Sequence, residues 1–176
     1  MAGQTILETE RLLLREFDQG DAAAVYVLGS DPAVTRYTHD PGGALTSVEQ
    51  AREVLRSHPI ADYRKHGFGR WACVHKASGE VIGFAGLKYL DDLSEVDIGY
   101  RLLPAYWGVG LATEVCRAVL DYGFAHLRLE RIIGLVDPEN VASVRVLEKL
   151  GLTFDEVMED QGLTVAKYVI HARGAA

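Results

Sequence analysis

The sequence predicts an α/β fold, in which a mixed, largely antiparallel sheet of about six or seven strands is flanked by about four helices. Three observations lead to this prediction. The chain has 176 residues, which is the size of one domain, so a single domain spanning 1–176 is expected. Its composition, 48% hydrophobic and 24% charged, is that of an ordinary globular protein. Segments typical of strands and helices also run in a mixed order: one strand, two helices, three strands in meander, and then strands that alternate with helices.

Short apolar runs bounded by turn residues predict the strands. They lie at 11–17, 70–75, 81–89, 96–103, 131–136, 153–158 and 163–171. The second and third runs are joined by Ala77-Ser78-Gly79-Glu80, a sequence typical of a hairpin turn. Three strands in meander followed by strand–helix alternation predict a sheet that is mixed and partly antiparallel.

Helix-start signals and apolar residues at helical spacing predict the helices. They lie at 21–28, 47–57, 111–126 and 140–150. The second begins with a capping box, Ser47-Val48-Glu49-Gln50, and Pro59 would end or kink it. The fourth follows the helix-start residues 137–140 and stops at Gly151. Residues 31–46 are rich in proline and glycine and are expected to form a loop.

Charge and cysteine content exclude several classes of protein. The net charge of −7 argues against a dedicated nucleic-acid binder, which would carry a basic stripe. The chain shows neither a membrane-length apolar run nor an export signal, so we expect a cytoplasmic protein without a membrane partner. Cys73 and Cys116 are isolated, so neither a disulfide framework nor a metal site is expected.

The segment 104–112, Pro-Ala-Tyr-Trp-Gly-Val-Gly-Leu-Ala, carries the strongest chemical signal. Gly108 and Gly110 lie between a predicted strand and a predicted helix, where they let the backbone approach a ligand. The first N–H groups of the helix then form a phosphate site. A dinucleotide-binding turn is not favoured, because residue 113 is threonine and several strands and helices come first. No Gly-Lys-Ser/Thr sequence is present, which excludes a P-loop.

This arrangement resembles the GNAT superfamily of acyl-CoA-dependent N-acyltransferases. The resemblance rests on the glycine loop after Leu102-Leu103-Pro104 and on three further segments. These are Thr9-Glu10-Arg11-Leu12-Leu13-Leu14-Arg15, Ile98-Gly99-Tyr100, and 140–152. Trp107 stands where the family usually has Arg or Gln, which makes the loop similar to that of the Rim-type (RimJ/RimL-like) branch.

The resemblance implies an N-acetyltransferase with acetyl-CoA as co-substrate. The residues it assigns to cofactor binding are Leu102, Leu103, Trp107, Gly108, Val109, Gly110, Leu111, Ala112, Thr113, Asn140 and Ser143. The acceptor pocket is expected between 31–66 and the last hairpin, where Tyr37, Trp71 and Tyr168 either line it or belong to the core.

The catalytic residues depart from the common family pattern. Many members have a tyrosine, the proton donor to the leaving thiolate, where this chain has Leu147. The Rim-type resemblance instead assigns thiolate stabilisation to Ser143, whose alternative role is a local helix cap. Asp97 and Glu95 are the candidates for the general base, and Glu159 and Asp160 are weaker ones. Cys116 is not favoured as an acyl-carrying nucleophile because it lies close to the apolar face of a helix.

The acceptor remains open at this point. A protein N-terminal amine, with a pKa of about 8, is far easier to deprotonate than a lysine, with a pKa of about 10.4. We therefore expect an N-terminal amine of the ribosomal-protein type, attacked directly in a ternary complex. A small-molecule amine or antibiotic is the alternative, as is a non-catalytic acyl-CoA-binding module. A homodimer is compatible with the resemblance.

Overall fold

The computed structural model describes residues 3–174, and an eight-stranded sheet forms its centre. The strands are β1 Thr5–Glu8, β2 Leu12–Arg15, β3 Arg70–His75, β4 Val81–Leu90, β5 Glu95–Leu102, β6 Arg131–Val136, β7 Thr153–Asp160 and β8 Leu163–His171. Their spatial order is β1-β2-β3-β4-β5-β6-β8-β7. The neighbours are antiparallel apart from β5 and β6, which run parallel. The prediction of a mixed, largely antiparallel sheet is therefore confirmed.

The parallel pair β5–β6 is held together at a single position. Asp97 is in register with Ile133, and the two strands diverge beyond that point. By contrast, β5 pairs with β4 along its whole length, from Glu95 to Leu102. The sheet therefore opens between the carboxyl ends of β5 and β6.

Helices cover both faces of the sheet. They are α1 Ala22–Ser30, α2 Pro32–Thr35, α3 Val48–Ser57, α4 Pro59–His66, α5 Leu111–Ala125 and α6 Val141–Lys149. One face packs against α5 and α6 through buried side chains such as Ile98, Val115 and Leu147. The opposite face packs against α1 and α3, with Ala72 and Leu55 in a second, smaller core. Because side chains alternate along a strand, neighbouring residues of β5 point to different cores.

The structure adds three elements to those predicted, within the part of the chain that it describes. The first is β1, a four-residue edge strand. The second is α2, inside the segment predicted as a loop, where Asp31 caps the N–H of Ala33 at 2.8 Å and Pro32 occupies the first turn. The third is α4: Pro59 ends α3 as predicted, but it also starts a new helix, since proline lacks the N–H that a first turn leaves unpaired.

Residues 3–174 form no helix that is both long and apolar enough to cross a membrane. The longest helix, α5, has 15 residues and carries charged and polar residues on its exposed side.

Candidate functional site

A large cavity of about 1070 Å³ opens where β5 and β6 diverge. Its walls come from the end of β5, the glycine loop before α5, the first turns of α6, and the segment that follows α2. The cavity therefore collects most of the segments that the sequence marked out, although they lie up to 100 residues apart.

The glycine loop has the open backbone that its sequence predicts. Gly108 and Gly110 adopt φ angles of +75° and +83°, which side-chain-bearing residues rarely adopt. No atom lies within 4 Å of the position that a Cβ of Gly108 would take, so the backbone there faces open space. Gly110 is the N-cap of α5, and the N–H of Glu114 is the first to find a helical partner, the carbonyl of Gly110 at 3.0 Å. The N–H groups of Leu111, Ala112 and Thr113 thus precede the intrahelical ladder.

Arg11, at the start of β2, braces this loop. Its guanidinium donates to the carbonyl of Val109 at 2.8 Å and to the carboxylate of Glu114 at 2.7 Å. The hydroxyl of Thr9 and the backbone N–H of Arg11 also donate to Glu114, at 2.7 and 2.9 Å. Burial alone would raise the pKa of Glu114, but these three hydrogen bonds and the nearby guanidinium outweigh it and lower that pKa. Glu114 therefore stays ionised, with its negative charge balanced by the guanidinium of Arg11.

The end of β5 differs from the expectation for Leu102 and Leu103. The N–H of Leu103 donates to the carbonyl of Ile82 at 2.9 Å, so it faces β4 and not the cavity. The indole N–H of Trp107 occupies the carbonyl of Leu102 at 2.7 Å. Because backbone groups alternate along a strand, the N–H of Leu102 faces the gap toward β6. Trp107 thus closes the strand end, and its ring is still half exposed beside the loop.

Helix α6 presents Ser143 to the cavity. The side chain of Asn140 caps the helix by accepting from the N–H of Ser143 at 3.3 Å, which leaves the serine hydroxyl available. That hydroxyl lies 3.1 Å from the hydroxyl of Tyr100 on β5. Burial raises the pKa of Tyr100, so its hydroxyl stays protonated at neutral pH. Leu147, one turn later, is 7% exposed and belongs to the core.

Asp97 lines the cavity but is engaged on both oxygens. Arg70 donates to Oδ2 at 2.6 Å, and the N–H of Leu135 donates to Oδ1 at 3.0 Å. The aspartate is 7% exposed, and its burial raises its pKa despite the neighbouring Arg70. Gly99 makes this possible, because a Cβ there would lie 2.6 Å from the guanidinium of Arg70. The geometry fits a bridge between β5 and β6 better than a base waiting for a proton.

Glu95 does not reach the cavity. It lies at the start of β5, where its carboxylate pairs with Arg131 on β6 at 2.9 Å. Glu95 is the first residue of β5, whereas Ser143 contacts Tyr100 near the other end of that strand. The expectation that Glu95 serves as the general base is therefore not supported by its position. Asp160 lines a separate, smaller cavity of about 230 Å³, and Glu159 accepts from the hydroxyl of Thr164 at 2.8 Å.

The segment 36–43 lines the cavity and is held by an ion pair and by a hydrogen bond from a histidine. Asp40 makes a two-pronged contact with Arg101 of β5, at 2.6 and 2.7 Å. His39 lies 2.8 Å from Asp137, at the end of β6. Tyr37 lines the cavity as expected of an acceptor-side residue, whereas Trp71 and Tyr168 are buried in the core.

Cys116 lies at the edge of the cavity with 1% of its surface exposed. Burial raises the pKa of its thiol to about 12. A thiol in that state is a poor nucleophile at neutral pH, in line with the low weight that the sequence gave it.

Three residues gain importance from the structure. Arg11 and Tyr100 stand in segments that the sequence had singled out, but only their distant partners, Val109 and Ser143, explain what they do. Strand alternation offered one signal for Tyr100, since it falls on the same face as Ile98 and Leu102. Arg70 had no sequence signal, because its contacts with β4 and β5 are set by sheet order.

Comparison with known proteins gives one consistent result. Residues 11–153 match the family described as "Acetyltransferase (GNAT) domain". The uncharacterized N-acetyltransferase p20 of Bacillus licheniformis is 36% identical over 156 residues, 88% of this chain and 85% of that protein. The spermidine N(1)-acetyltransferase of Escherichia coli K12 is 26% identical over 84% of this chain and 76% of its own length.

Solved structures agree with the fold. An acetyltransferase from Agrobacterium tumefaciens superposes with a TM-score of 0.81 at 26% identity, covering 94% of each chain. RimL, described as a ribosomal L7/L12 α-N-protein acetyltransferase in complex with coenzyme A, also gives a TM-score of 0.81. Its identity is 20%, and the match covers 96% of this chain and 98% of that one.

Proposed function

The chain belongs to the GNAT family of acetyltransferases, and we propose that its acceptor is a protein N-terminal amine. It is an N-acetyltransferase that uses acetyl-CoA as co-substrate. Its placement in the Rim-type branch is likewise a proposal. It is supported by Trp107 in the loop, and by the presence of Ser143 together with a leucine, not a tyrosine, at position 147.

The residues present fit the acetyl donor. The open N–H groups from Gly108 to Thr113 suit its pyrophosphate, because they stand at the positive end of α5 and the negative charge of the nearby Glu114 is balanced by Arg11. Arg145 and Lys149 line the same cavity from α6 and supply positive charge for its phosphates. The N–H of Leu102, facing the gap between β5 and β6, suits the amide-bearing arm of the donor.

One observation carries the choice of acceptor: each aspartate that lines the large cavity is already paired. Asp40 is bound by Arg101, Asp97 by Arg70, and Asp137 by His39. Within residues 3–174 the cavity thus offers no unengaged carboxylate to serve as a base. At pH 7 about a tenth of α-amines are already neutral, against fewer than about one lysine in a thousand. An acceptor with an α-amine therefore needs only water to take its proton.

The reaction then requires little from the protein beyond positioning. The neutral amine nitrogen attacks the thioester carbonyl carbon, the bond between that carbon and sulfur breaks, and the amine releases a proton to water. The hydroxyl of Ser143, oriented by Tyr100, donates a hydrogen bond to the sulfur as it gains negative charge. The sulfur leaves as a thiolate and then takes a proton from water to become the free thiol. Asp97 acts in this scheme as a positioning residue that holds β5 and β6 in place.

A small-molecule amine is the second candidate. The 26% identical spermidine N(1)-acetyltransferase of E. coli supports it, because that relative aligns with most of this chain. It competes with the N-terminal amine for the same cavity.

The test is a panel of acceptors incubated with acetyl-CoA and the purified protein. It contains a lysine-free peptide with a free N-terminus, a peptide with a blocked N-terminus and one lysine, and spermidine. Thiol release and the gain of an acetyl group, followed by mass spectrometry, are the readouts. We expect the first peptide to be acetylated fastest, with kcat/KM rising with pH and levelling off near the pKa of its amine, about 8. Preferential acetylation of the lysine peptide or of spermidine would disprove this choice of acceptor.

A further inference from the structure

The cavity has two sides, because successive side chains of β5 point to opposite faces of the sheet. Tyr100 and Leu102 of β5 point toward α5 and α6, the side of the glycine loop and Ser143. Arg101 points the other way, over the ring of Phe84 and toward Asp40. Lys88 on β4 is in register with Asp97 and lies on this second side, which is the side left for the acceptor once the donor occupies the first.

The net charge of the cavity lining is positive, whereas that of the whole protein is negative. The chain carries a net charge of −7. The cavity, however, is lined by six arginine and lysine side chains against three aspartates. The six are Arg36, Arg70, Lys88, Arg101, Arg145 and Lys149. Arg145 and Lys149 are assigned to the phosphates of the donor. The other four cations against three aspartates leave a positive charge on the acceptor side, which points to a negatively charged acceptor.

Ion pairs use up some of these positive side chains, so the excess positive charge belongs to the few that remain unpaired. Arg70 and Arg101 are used by Asp97 and Asp40. Neither Lys88 nor Arg36 has a carboxylate oxygen within 4 Å among residues 3–174. Arg36 is exposed at the rim and stacks on Tyr37, with its guanidinium carbon 5.1 Å from the ring centre. Lys88 is half-buried on the sheet itself, so it is the unpaired cation closest to Asp97 and the divergence of the strands.

We infer that the acceptor carries an anionic group near its reactive amine, and that Lys88 binds that group. This inference rests on the proposed function and narrows it, from amines in general to amines that bear a carboxylate. Two sources share this chemistry: an acidic side chain next to the N-terminus of a peptide, and the α-carboxylate of a free amino acid. A polyamine is disfavoured, since its additional positive charges meet Lys88 and Arg36.

The smaller cavity supplies the competing possibility. It shares most of the segment 37–41 with the large cavity and is lined by Asp137, Asp160 and His39, whose ring contacts Asp137. A cationic acceptor would place a second amine there, against Asp160. Substitutions of Lys88 and Asp160 therefore separate an anionic acceptor from a cationic one.

The experiment compares matched acceptors on the wild type and four variants, Lys88→Met, Lys88→Arg, Lys65→Met and Asp160→Asn. The peptides begin with serine and differ at the second residue, which is aspartate, alanine or lysine. Free serine, serinamide and spermidine complete the set. In Lys88→Met the charge is lost with little change in length, and Lys88→Arg restores it. Lys65→Met is the control, because Lys65 lies on α4 outside the cavity and pairs with the exposed Asp91.

We expect the wild type to prefer the aspartate peptide over the lysine peptide by roughly tenfold or more in kcat/KM. Lys88→Met should reduce that preference about tenfold, mainly through a higher KM for the aspartate peptide, and Lys88→Arg should recover most of it. Lys65→Met should behave as the wild type. If free serine outperforms serinamide and all three peptides, the anionic group is an α-carboxylate, and the acceptor is a free amino acid instead of a protein N-terminus.

Equal rates on the three peptides, or a preference unaffected by Lys88→Met, would overturn the inference while leaving an N-terminal acceptor intact. Rapid acetylation of spermidine that Asp160→Asn weakens would overturn it in favour of a cationic acceptor. By contrast, a failure to acetylate any α-amine would refute the proposed function itself, so the two failures are distinguishable.

Discussion

The carboxylate of Asp97 accepts a hydrogen bond from the backbone N–H of Leu135 at 3.0 Å, two residues beyond the last registered pair of β5 and β6. A side chain thus satisfies a backbone donor that the diverging strand leaves without a partner. The same carboxylate binds Arg70, which also donates to the carbonyl of Gly86 on β4. Asp97 and Arg70 together therefore join the four neighbouring strands β3, β4, β5 and β6.

Replacing Asp97 with asparagine should destabilise the protein more than it slows the chemistry. The amide still accepts from Leu135, but Arg70 loses its charged partner in a buried site, at a cost of about 3 kcal/mol. Chemical denaturation measures that loss, and turnover at a temperature where the variant stays folded measures the rest. Glu95→Gln is the matched control, with an expected cost below about 1 kcal/mol because its pair with Arg131 is partly exposed. A stable Asp97→Asn variant without turnover would instead identify a general base.

Ser143 and Tyr100 should act as one unit. Ser143→Ala is expected to lower kcat about 100-fold with little change in the KM for acetyl-CoA, because its hydroxyl acts on the charge that develops at sulfur. Tyr100→Phe should lower kcat about tenfold, and the double variant should be no slower than Ser143→Ala. Steady-state kinetics of the three variants test this coupling. Tyr122→Phe, which also removes a phenol hydroxyl but lies outside the cavity, should leave kcat unchanged, and additive losses would show that the two residues act separately.

Gly108 and Gly79 form a natural pair for testing the donor loop. Their φ angles are +75° and +74°, and a Cβ at either would meet nothing within 4 Å. Valine at either position should cost about 1–2 kcal/mol of stability for the same backbone reason. We expect only Gly108→Val to lose acetyl-CoA affinity, by tenfold or more in titration calorimetry, because the new side chain occupies the approach to the open N–H groups. Equal affinities in the two variants would mean that the donor binds elsewhere.

Glu114 should make the protein's stability depend on acidity. Its pKa in the folded state is lowered from the ordinary value of 4.5, so its charged form stabilises the fold above that value. This contribution is lost as the pH falls through the folded-state pKa. The difference in unfolding free energy between the wild type and Glu114→Gln should therefore be constant near neutral pH and shrink below pH 4.5. Melting curves across that range test it, with the exposed Glu148→Gln as the control. A difference that persists unchanged at low pH would contradict the assigned role of the charge.

Much of the fold follows from local sequence, because its signals are local. The Ser47 cap of α3, the Ala77–Glu80 turn and the apolar stripe of α5 each act within a few residues, and the elements appear where these signals predict. Only half of the predicted capping box forms, because the side chain of Gln50 accepts from the N–H of Thr46 and not from that of Ser47. The elements that were missed are short ones. A four-residue edge strand such as β1 has too few residues to show an alternating pattern, and its partner β2 decides its existence.

The candidate site likewise contains features that local sequence predicts and features that depend on distant residues. The glycine loop and the cap of α6 are backbone features, so their residues could be named in advance. The environment of Asp97 could not, since it depends on Arg70 reaching across β4 and β5 over Gly99. Glu95 and Asp97 are two residues apart on the same strand, yet Glu95 forms a surface ion pair with Arg131 and Asp97 lines the cavity. The point at which β6 diverges from β5 decides this difference.

The contact between Arg11 and the carbonyl of Val109 spans 98 residues of sequence. It fastens the residue before β2, the strand next to the sheet edge, to the loop proposed to hold the donor's phosphates. Binding of coenzyme A to that loop should therefore slow amide hydrogen exchange in the β1–β2 hairpin, at a distance from the reacting atoms. The hairpin would then serve as a built-in reporter for screening ligands, one that needs neither a known acceptor nor turnover.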